Sequence, residues 1–220
     1  MIAENFQRVK ERILAVCLRT KRNPAEIMLV CVAKGQPLGK IEEVLRLECR
    51  QIGENRVQAA LNIYKQVPGV NWHMIGHLQS NKVKDAVKIF DLIHSVDSIA
   101  LAKEINKQAD RIGKVQDLLL EVKTSPEVSK FGFAPEKISE ACDSILKLNN
   151  IKVRGLMTIA PLTHNLSEAR PYFAALRQVR DSLDSSWLLS MGMSDDFEVA
   201  IEEGADILRI GRAIFEGENA

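Results

Sequence analysis

Between Ile2 and Cys17 the apolar residues recur at three- and four-residue steps (Ile2, Phe6, Val9, Ile13, Val16, Cys17) with charges between them. That period predicts an amphipathic helix over residues 2–19. Asn23-Pro24 closes it. Ile27 to Ala33 is then almost unbroken apolar sequence ending in Lys34, with Gly35, Gln36 and Pro37 after it. A run that short, apolar on both alternations, reads as a strand buried on both faces, as in a parallel sheet. Pro37 opens a helix whose apolar face carries Ile41, Val44, Leu45 and Leu47. Arg50 to Gly53 is a second strand, and a helix follows from Arg56 through Tyr64.

The rhythm continues. Trp72 to Gly76 is a third strand, followed by a short helix over about 81–87, and Ile89 to Val96 is a fourth. Asp97 or Ser98 caps the next helix, which runs to Arg111. Asp117 to Val122 is a fifth strand, and Pro135 opens a helix to about Asn149. Val153 to Thr158 is a sixth strand, and an amphipathic stretch with Tyr172, Leu176, Val179 and Leu183 on one face follows. Trp187 to Met191 is the seventh strand, Ser194 or Asp195 caps a helix through Glu203, and Ile207 to Ile210 is the eighth before a short tail. Eight strands alternating with helices, without a low-complexity linker, predict one α/β domain over residues 1–220, a single (β/α)8 TIM barrel with an extra N-terminal helix. A doubly wound open sheet would call for a glycine-rich first turn, and Lys34-Gly35-Gln36-Pro37 is not GxGxxG.

Composition narrows the function classes. Thirty basic residues against 29 acidic ones leave a net charge of +1, so nothing draws the chain toward nucleic acid or an anionic membrane. No 18-residue apolar run occurs, and the charged N-terminus is no signal peptide. Cys17, Cys31, Cys49 and Cys142 are scattered without a CxxC pair, so neither a disulfide framework nor a zinc site is expected. Cys31 and Cys49 lie in apolar segments and read as small buried residues in a reducing, cytoplasmic setting.

On a barrel, the unusual residues fall at the carboxyl ends of strands, where barrels bind ligands. Lys34 follows strand one, Asn55 strand two and His77 strand three. Met157 and Thr158 follow strand six, Gly192-Met193-Ser194 strand seven, and Gly211-Arg212 strand eight. A half-buried lysine at such a tip would have its pKa lowered, and its neutral amine could attack a carbonyl; otherwise Lys34 is the first solvated residue after a strand. The turns after strands seven and eight suit a phosphate, with glycines that admit close backbone approach and Ser194 at a helix start. Arg209 lies in an apolar run whose alternation points it inward, so its guanidinium needs an acceptor. A carboxylate such as Asp206 or Glu202 could serve, or a pyridine nitrogen.

These residues carry a resemblance. Val32-Ala33-Lys34 with Pro37, Gly53-Glu54-Asn55-Arg56-Val57-Gln58, the run Trp72 to Lys82, Ser129-Lys130-Phe131-Gly132, Gly155-Leu156-Met157-Thr158, Ser190 to Asp195 and Arg209-Ile210-Gly211 are similar to the pyridoxal phosphate homeostasis proteins. That family resembles the barrel domain of alanine racemase, and the likeness covers nearly the whole chain. It implies pyridoxal 5'-phosphate (PLP) held as an imine on Lys34, with its phosphate on Ser194 and the Gly211-Arg212 backbone and Arg209 at the ring nitrogen. Asn55, His77 and Met157 would line the ring's surroundings. The chain departs from the family at Arg212, where a small hydroxyl residue is usual, and at Ile214-Phe215-Glu216-Gly217, where Ile-Phe-Gly is usual.

An arginine stays protonated, so it hydrogen-bonds a pyridine nitrogen without protonating it and leaves a weak electron sink. A racemase with such a ring uses two bases, one on each face of the substrate carbon. In racemases of this fold the second is a tyrosine from another domain. Here Tyr64 and Tyr172 sit at apolar spacings on helices and read as core. His73 reads as an interior strand residue, His77 as a mouth-facing acid/base or ring neighbour, and His94 and His164 as structural or solvated. The expectation is a protein of vitamin B6 homeostasis that buffers PLP or delivers it to PLP-dependent apoenzymes, without substantial turnover and as a monomer. An amino-acid racemase using His77 or water, and a Schiff-base aldolase on a sugar phosphate, stay open as alternatives.

Overall fold

Alternation along each strand divides its side chains between two environments, and the division builds the barrel. The computed structural model describes residues 1–125, 131–161 and 166–217. Its strands are β1 (Met28–Val32), β2 (Gln51–Glu54), β3 (Asn71–Met74), β4 (Leu92–Val96), β5 (Gln116–Glu121), β6 (Ile151–Met157), β7 (Leu188–Ser190) and β8 (Ile207–Ile210). They form a closed barrel in chain order, with β1 pairing in parallel with β8 through Met28↔Ile207 to Cys31↔Ile210. Val30, Leu92, Leu119, Met157 and Ile207 cluster inside the barrel. Their neighbours of opposite parity, among them Cys31, Ile93, Leu118, Leu120, Leu156 and Leu208, are buried in the outer layer beneath the helices. Both parities are apolar in these strands, which is why the sequence reads as unbroken hydrophobic runs.

Around the barrel lie α1 (Ile2–Thr20), α2 (Leu38–Arg46), α3 (Val57–Ile63), α4 (Val83–Ile89), α5 (Ile99–Asp110), α6 (Ile138–Ile145), α7 (Arg170–Leu183), α8 (Phe197–Glu202) and α9 (Arg212–Phe215). The additional helix α1 buries Ile2, Phe6, Val9, Ile13, Val16 and Cys17, and ends at Lys21 in the left-handed conformation (φ 58°), whose N–H returns to Cys17 and Leu18 carbonyls. It docks on α8 and α9. Arg12 Nε lies 2.7 Å from Glu198 Oε1, Arg22 Nη2 lies 2.9 Å from Asp206 Oδ1, and Asn5 Nδ2 donates to Ile214 O at 3.1 Å. Among the described residues no helix is long and apolar enough to cross a membrane.

Most boundaries differ from the pattern-based expectation by one or two residues, and some differ with a physical reason. Ile89 closes α4 instead of opening β4, because Asp91 turns the chain and its Oδ2 accepts from the Trp72 N–H at 2.7 Å. The sixth helix stops at Ile145, short of Asn149, and β6 starts at Ile151, where Asn150 N–H is held by Asn106 Oδ1 at 2.8 Å. Neither Ser194 nor Asp195 caps α8; the N-cap is Asp196, whose Oδ1 accepts from Met193 N–H at 2.6 Å and closes the turn one residue later. The short tail contains α9. At α5 the cap is Ser98, with Oγ accepting from Leu101 N–H at 3.3 Å. Residues Ser129, Lys130 and His164 lie outside the described residues.

Candidate cofactor site at the barrel mouth

β1 delivers Lys34 to the mouth two residues past its end, in the turn formed with Gly35 (φ 71°). The side chain is exposed, not half-buried, because the strand stops at Val32 and the turn lifts the lysine clear of the wall. Lys34 lines a cavity of about 780 Å³ with Glu54, Asn55, Gly76 and His77. Asn55, Gly76 and His77 also line an adjoining pocket of about 230 Å³, together with Glu121, Ser125, Phe131 and Thr158. Asn55 Oδ1 is buried and has no hydrogen-bond partner, an unmet acceptor at the junction of the two spaces. Gly76 permits this junction: a Cβ there would stand 2.4 Å from Asn55 O. His77 Nδ1 lies 3.2 Å from Asp97 Oδ2, and its ring stacks on Phe131 at 3.7 Å between centroids.

Beneath the mouth a chain of polar side chains crosses the barrel interior. Arg209 is buried; its Nη1 donates to Ser190 Oγ at 2.6 Å and its Nη2 to Thr158 O at 2.9 Å. Ser190 Oγ lies 2.9 Å from His94 Nδ1, His94 Nε2 lies 2.9 Å from His73 Nδ1, and His73 Nε2 lies 2.8 Å from Gln51 Oε1. Burial holds both imidazoles neutral: His73 is pushed down to about 4, and His94 well below the usual range, with His73 and Arg209 adding to the effect. Gln51 Oε1 only accepts, so His73 donates from Nε2 and accepts at Nδ1. His94 then donates from Nε2 and accepts from the Ser190 hydroxyl, whose oxygen accepts from Arg209. Every link is satisfied in one direction, from the mouth to the base.

Arg209 forms neither carboxylate pair considered from the sequence. Asp206 is held by Arg22, and Glu202 by Arg19 and Arg170. Burial lowers the Arg209 pKa to about 10, opposed by the charges of Asp196 and Glu121, so the guanidinium stays protonated at neutral pH. Glu121, at the end of β5, is pushed up to about 7 by burial and by Asp97, with Arg209 pulling the other way.

The turns after β7 and β8 meet each other. Gly192 (φ 92°) lies against α8, where a Cβ would stand 2.6 Å from Ala200 Cβ. Ser194 Oγ accepts from Ala213 N–H at 3.2 Å, which ties the β7 turn to the first turn of α9. Gly211 is the N-cap of α9 and packs on Val32, beside the β1 end. The Arg212 guanidinium is ion-paired with Asp195 and so bridges the two turns.

The structure thus brings Lys34, Asn55 and His77 to one cavity, and Ser194, Gly211 and Arg212 to a neighbouring pair of turns. Met157 is fully buried in the interior cluster and lines neither cavity. Tyr64 and Tyr172 pack on the outer core, away from both spaces. Sequence reasoning missed Glu121 and the role of Ser190 and His94. Glu121 carried the signal that singled out Lys34, a charge at the tip of an apolar strand; the Ser190–His94 link joins residues 96 apart and has no local signature.

Residues 2–219 match the family described as alanine racemase, N-terminal domain. The pyridoxal phosphate homeostasis protein of Aquifex aeolicus is 44% identical over 219 residues, covering 96% of each chain. The protein of that name from Pseudomonas aeruginosa is 37% identical, covering 97% of this chain and 94% of its own. PipY of Synechococcus elongatus, solved with PLP bound, superposes with a TM-score of 0.81 at 35% identity, covering 94% of this chain and 99% of PipY. The chain belongs to the pyridoxal phosphate homeostasis protein family, on the barrel of the alanine racemase N-terminal domain.

Proposed function

We propose that this chain binds PLP as a Schiff base on Lys34 and buffers or delivers it in the cytoplasm as part of vitamin B6 homeostasis, without substantial turnover. The observation that carries the reading is the mouth cavity, where the exposed amine of Lys34 shares one space with the unpartnered Asn55 Oδ1. The relatives' names and PLP-bound PipY support it. When bound, PLP supplies an aldehyde for the amine and a phosphate for the adjacent turns. Lys34 sheds a proton to become nucleophilic, and its exposure lets water accept that proton. Ser194 Oγ and the Gly211-Arg212 backbone hold the phosphate, while Arg212, already bound to Asp195, stiffens the turns.

Arg209 is the donor toward the ring nitrogen, fixed from behind by Ser190 Oγ and Thr158 O. As a protonated arginine it leaves that nitrogen unprotonated, which disfavours carbanion chemistry. Asn55 supplies an acceptor beside the lysine, and His77 is steadied by Asp97, while Met157 stays in the interior cluster and acts on the ring's surroundings only through the residues above it. The tyrosines lie in the outer core, so neither of them serves as a second base at the mouth. Residues 1–220 act as one binding unit, a monomer that hands PLP to apoenzymes. The racemase reading retains one favouring observation, the Glu121 carboxyl pushed up to about 7 at the pocket wall.

Absorbance spectra of wild type and Lys34→Ala, with and without added PLP, test the proposal. A visible band that survives dialysis in wild type, disappears on borohydride reduction and is absent from Lys34→Ala is expected. A wild type without that band removes PLP from Lys34, and sustained amino-acid racemisation moves the racemase reading to the front.

A further inference from the structure

Two cysteines that line neither mouth cavity touch. Cys31 lies in the middle of β1, on the parity facing the helix layer, and is fully buried. Cys49 lies just before β2, 18 residues along the chain, and is 7% exposed. Their Sγ atoms are 2.9 Å apart, inside ordinary contact distance and about 0.9 Å from a disulfide bond length. The pairing of β1 with β2, Cys31↔Ile52 and Val32↔Gly53, anchors both ends of the contact.

Cys49 is also reachable. It lines a groove of about 860 Å³ between α1 and the amino-terminal end of the barrel, with Lys10, Leu29 and Gln51 on its walls. Of the two thiols, Cys49 ionises first: its thiolate accepts from the Cys31 S–H, and Lys10 adds positive charge, while the same bond and complete burial hold the Cys31 proton. The pair therefore combines a reactive thiol facing the groove with a resolving thiol behind it. By contrast Cys17 and Cys142 are buried thiols raised by desolvation, with no sulfur partner.

We propose that Cys31 and Cys49 form a reversible intramolecular disulfide when the protein meets a peroxide. The Cys49 thiolate attacks one peroxide oxygen, the O–O bond breaks, and Cys49 becomes a sulfenic acid with loss of hydroxide. Cys31 sulfur then attacks the Cys49 sulfur, the S–O bond breaks, and the Cys31 proton leaves with the departing oxygen as water. The two thiols lose two electrons, and one hydrogen peroxide becomes two waters. A dithiol reductant reverses the bond by exchange. The closed ring contains Lys34 and α2, so oxidation tethers the segment that bears the lysine.

The test is thiol counting and intact mass on the full chain, before and after hydrogen peroxide and after dithiothreitol. Four titratable thiols in the denatured protein should fall to two, with a loss of about 2 Da and one peptide pair joining Cys31 to Cys49. Both changes should reverse on reduction, and the oxidised form should melt roughly 5–10 °C higher. Cys49→Ser and Cys31→Ala, checked for native circular dichroism, should each retain all their remaining thiols as thiols or stop at an oxygen adduct. Cys17→Ala should still form the bond. Four thiols surviving in the wild type, a crosslink between two chains, or an oxygen adduct on Cys49 that never resolves would each overturn the proposal.

Discussion

The barrel interior and the barrel mouth hold similar side chains in opposite states. Inside, His73, His94, Ser190 and Arg209 are buried, Gln51 is half-buried, and each is hydrogen-bonded to the next, so the chain has no acceptor left over along its length. At the mouth, Lys34 is exposed, Asn55 Oδ1 and Ser125 Oγ are buried without partners, and two cavities adjoin. Buried polar groups are worth most to a unique structure when all are paired. An unmet acceptor costs stability unless a ligand meets it. Order is stored in the interior, and binding capacity in the mouth. Substitutions in the two regions should separate accordingly.

The largest separation is expected at Arg209. Arg209→Leu removes the donor from Ser190 Oγ and Thr158 O and leaves the Asp196 and Glu121 carboxyls without their buried cation. Breaking such a buried charged network should cost about 3–5 kcal/mol. Urea denaturation followed by circular dichroism measures it. A loss below about 1 kcal/mol would mean that the interior chain contributes little to the fold, and the contrast with the mouth would collapse.

Acid and base should act on the two regions with opposite sign. The folded-state pKa of His73 is depressed to about 4, so the unfolded chain takes up a proton near pH 6.5 while the folded chain does not. Stability is therefore lost as pH falls from about 6.5 to about 4, by about 3 kcal/mol for this one group. Glu121 at the mouth is raised to about 7, so its contribution is complete below pH 4.5 and is lost as pH rises through 7, again up to about 3 kcal/mol. Glu121→Gln should leave stability at pH 4.5 nearly unchanged and raise it at pH 8 by about 1–3 kcal/mol. Stability curves at several pH values for wild type, Glu121→Gln and His73→Gln would show whether the two flanks belong to these residues.

Most of the barrel was legible because its signal is local. Eight apolar strands alternate with amphipathic helices, and the parity that points Arg209 inward is visible in Ile207-Leu208-Arg209-Ile210. The lysine at the end of β1 was legible for the same reason. Its exposure was one of the two readings the pattern left open, a half-buried lysine or the first solvated residue after the strand, and the turn at Gly35 selects the second. The interior chain was illegible in principle: Gln51, His73, His94, Ser190 and Arg209 come from five strands, and only barrel closure brings them into line. The Ser194 cap was misplaced because Ser194, Asp195 and Asp196 are each acceptable caps, and the choice depends on Asp196 closing the turn onto Met193. Cys31 and Cys49 read as two buried residues, and only the β1–β2 pairing makes them a pair.

The smallest effect on stability, and the sharpest on binding, is expected at Asn55. Its Oδ1 has no partner to lose, so Asn55→Ala removes a buried unmet acceptor and a few contacts, with a net change within about 0.5 kcal/mol. Lys34→Ala, exposed and outside any strand, should be equally silent. Titrating PLP into the two variants gives the other half of the comparison. Asn55→Ala should weaken PLP binding by roughly 5- to 30-fold while keeping the borohydride-sensitive band, since about 1–2 kcal/mol of hydrogen bonding is removed and the lysine remains. Lys34→Ala should lose the band altogether. Should Asn55→Ala unfold as readily as Arg209→Leu while binding PLP like wild type, Asn55 would belong with the interior as architecture, because an acceptor reserved for a ligand cannot be removed without cost to that ligand.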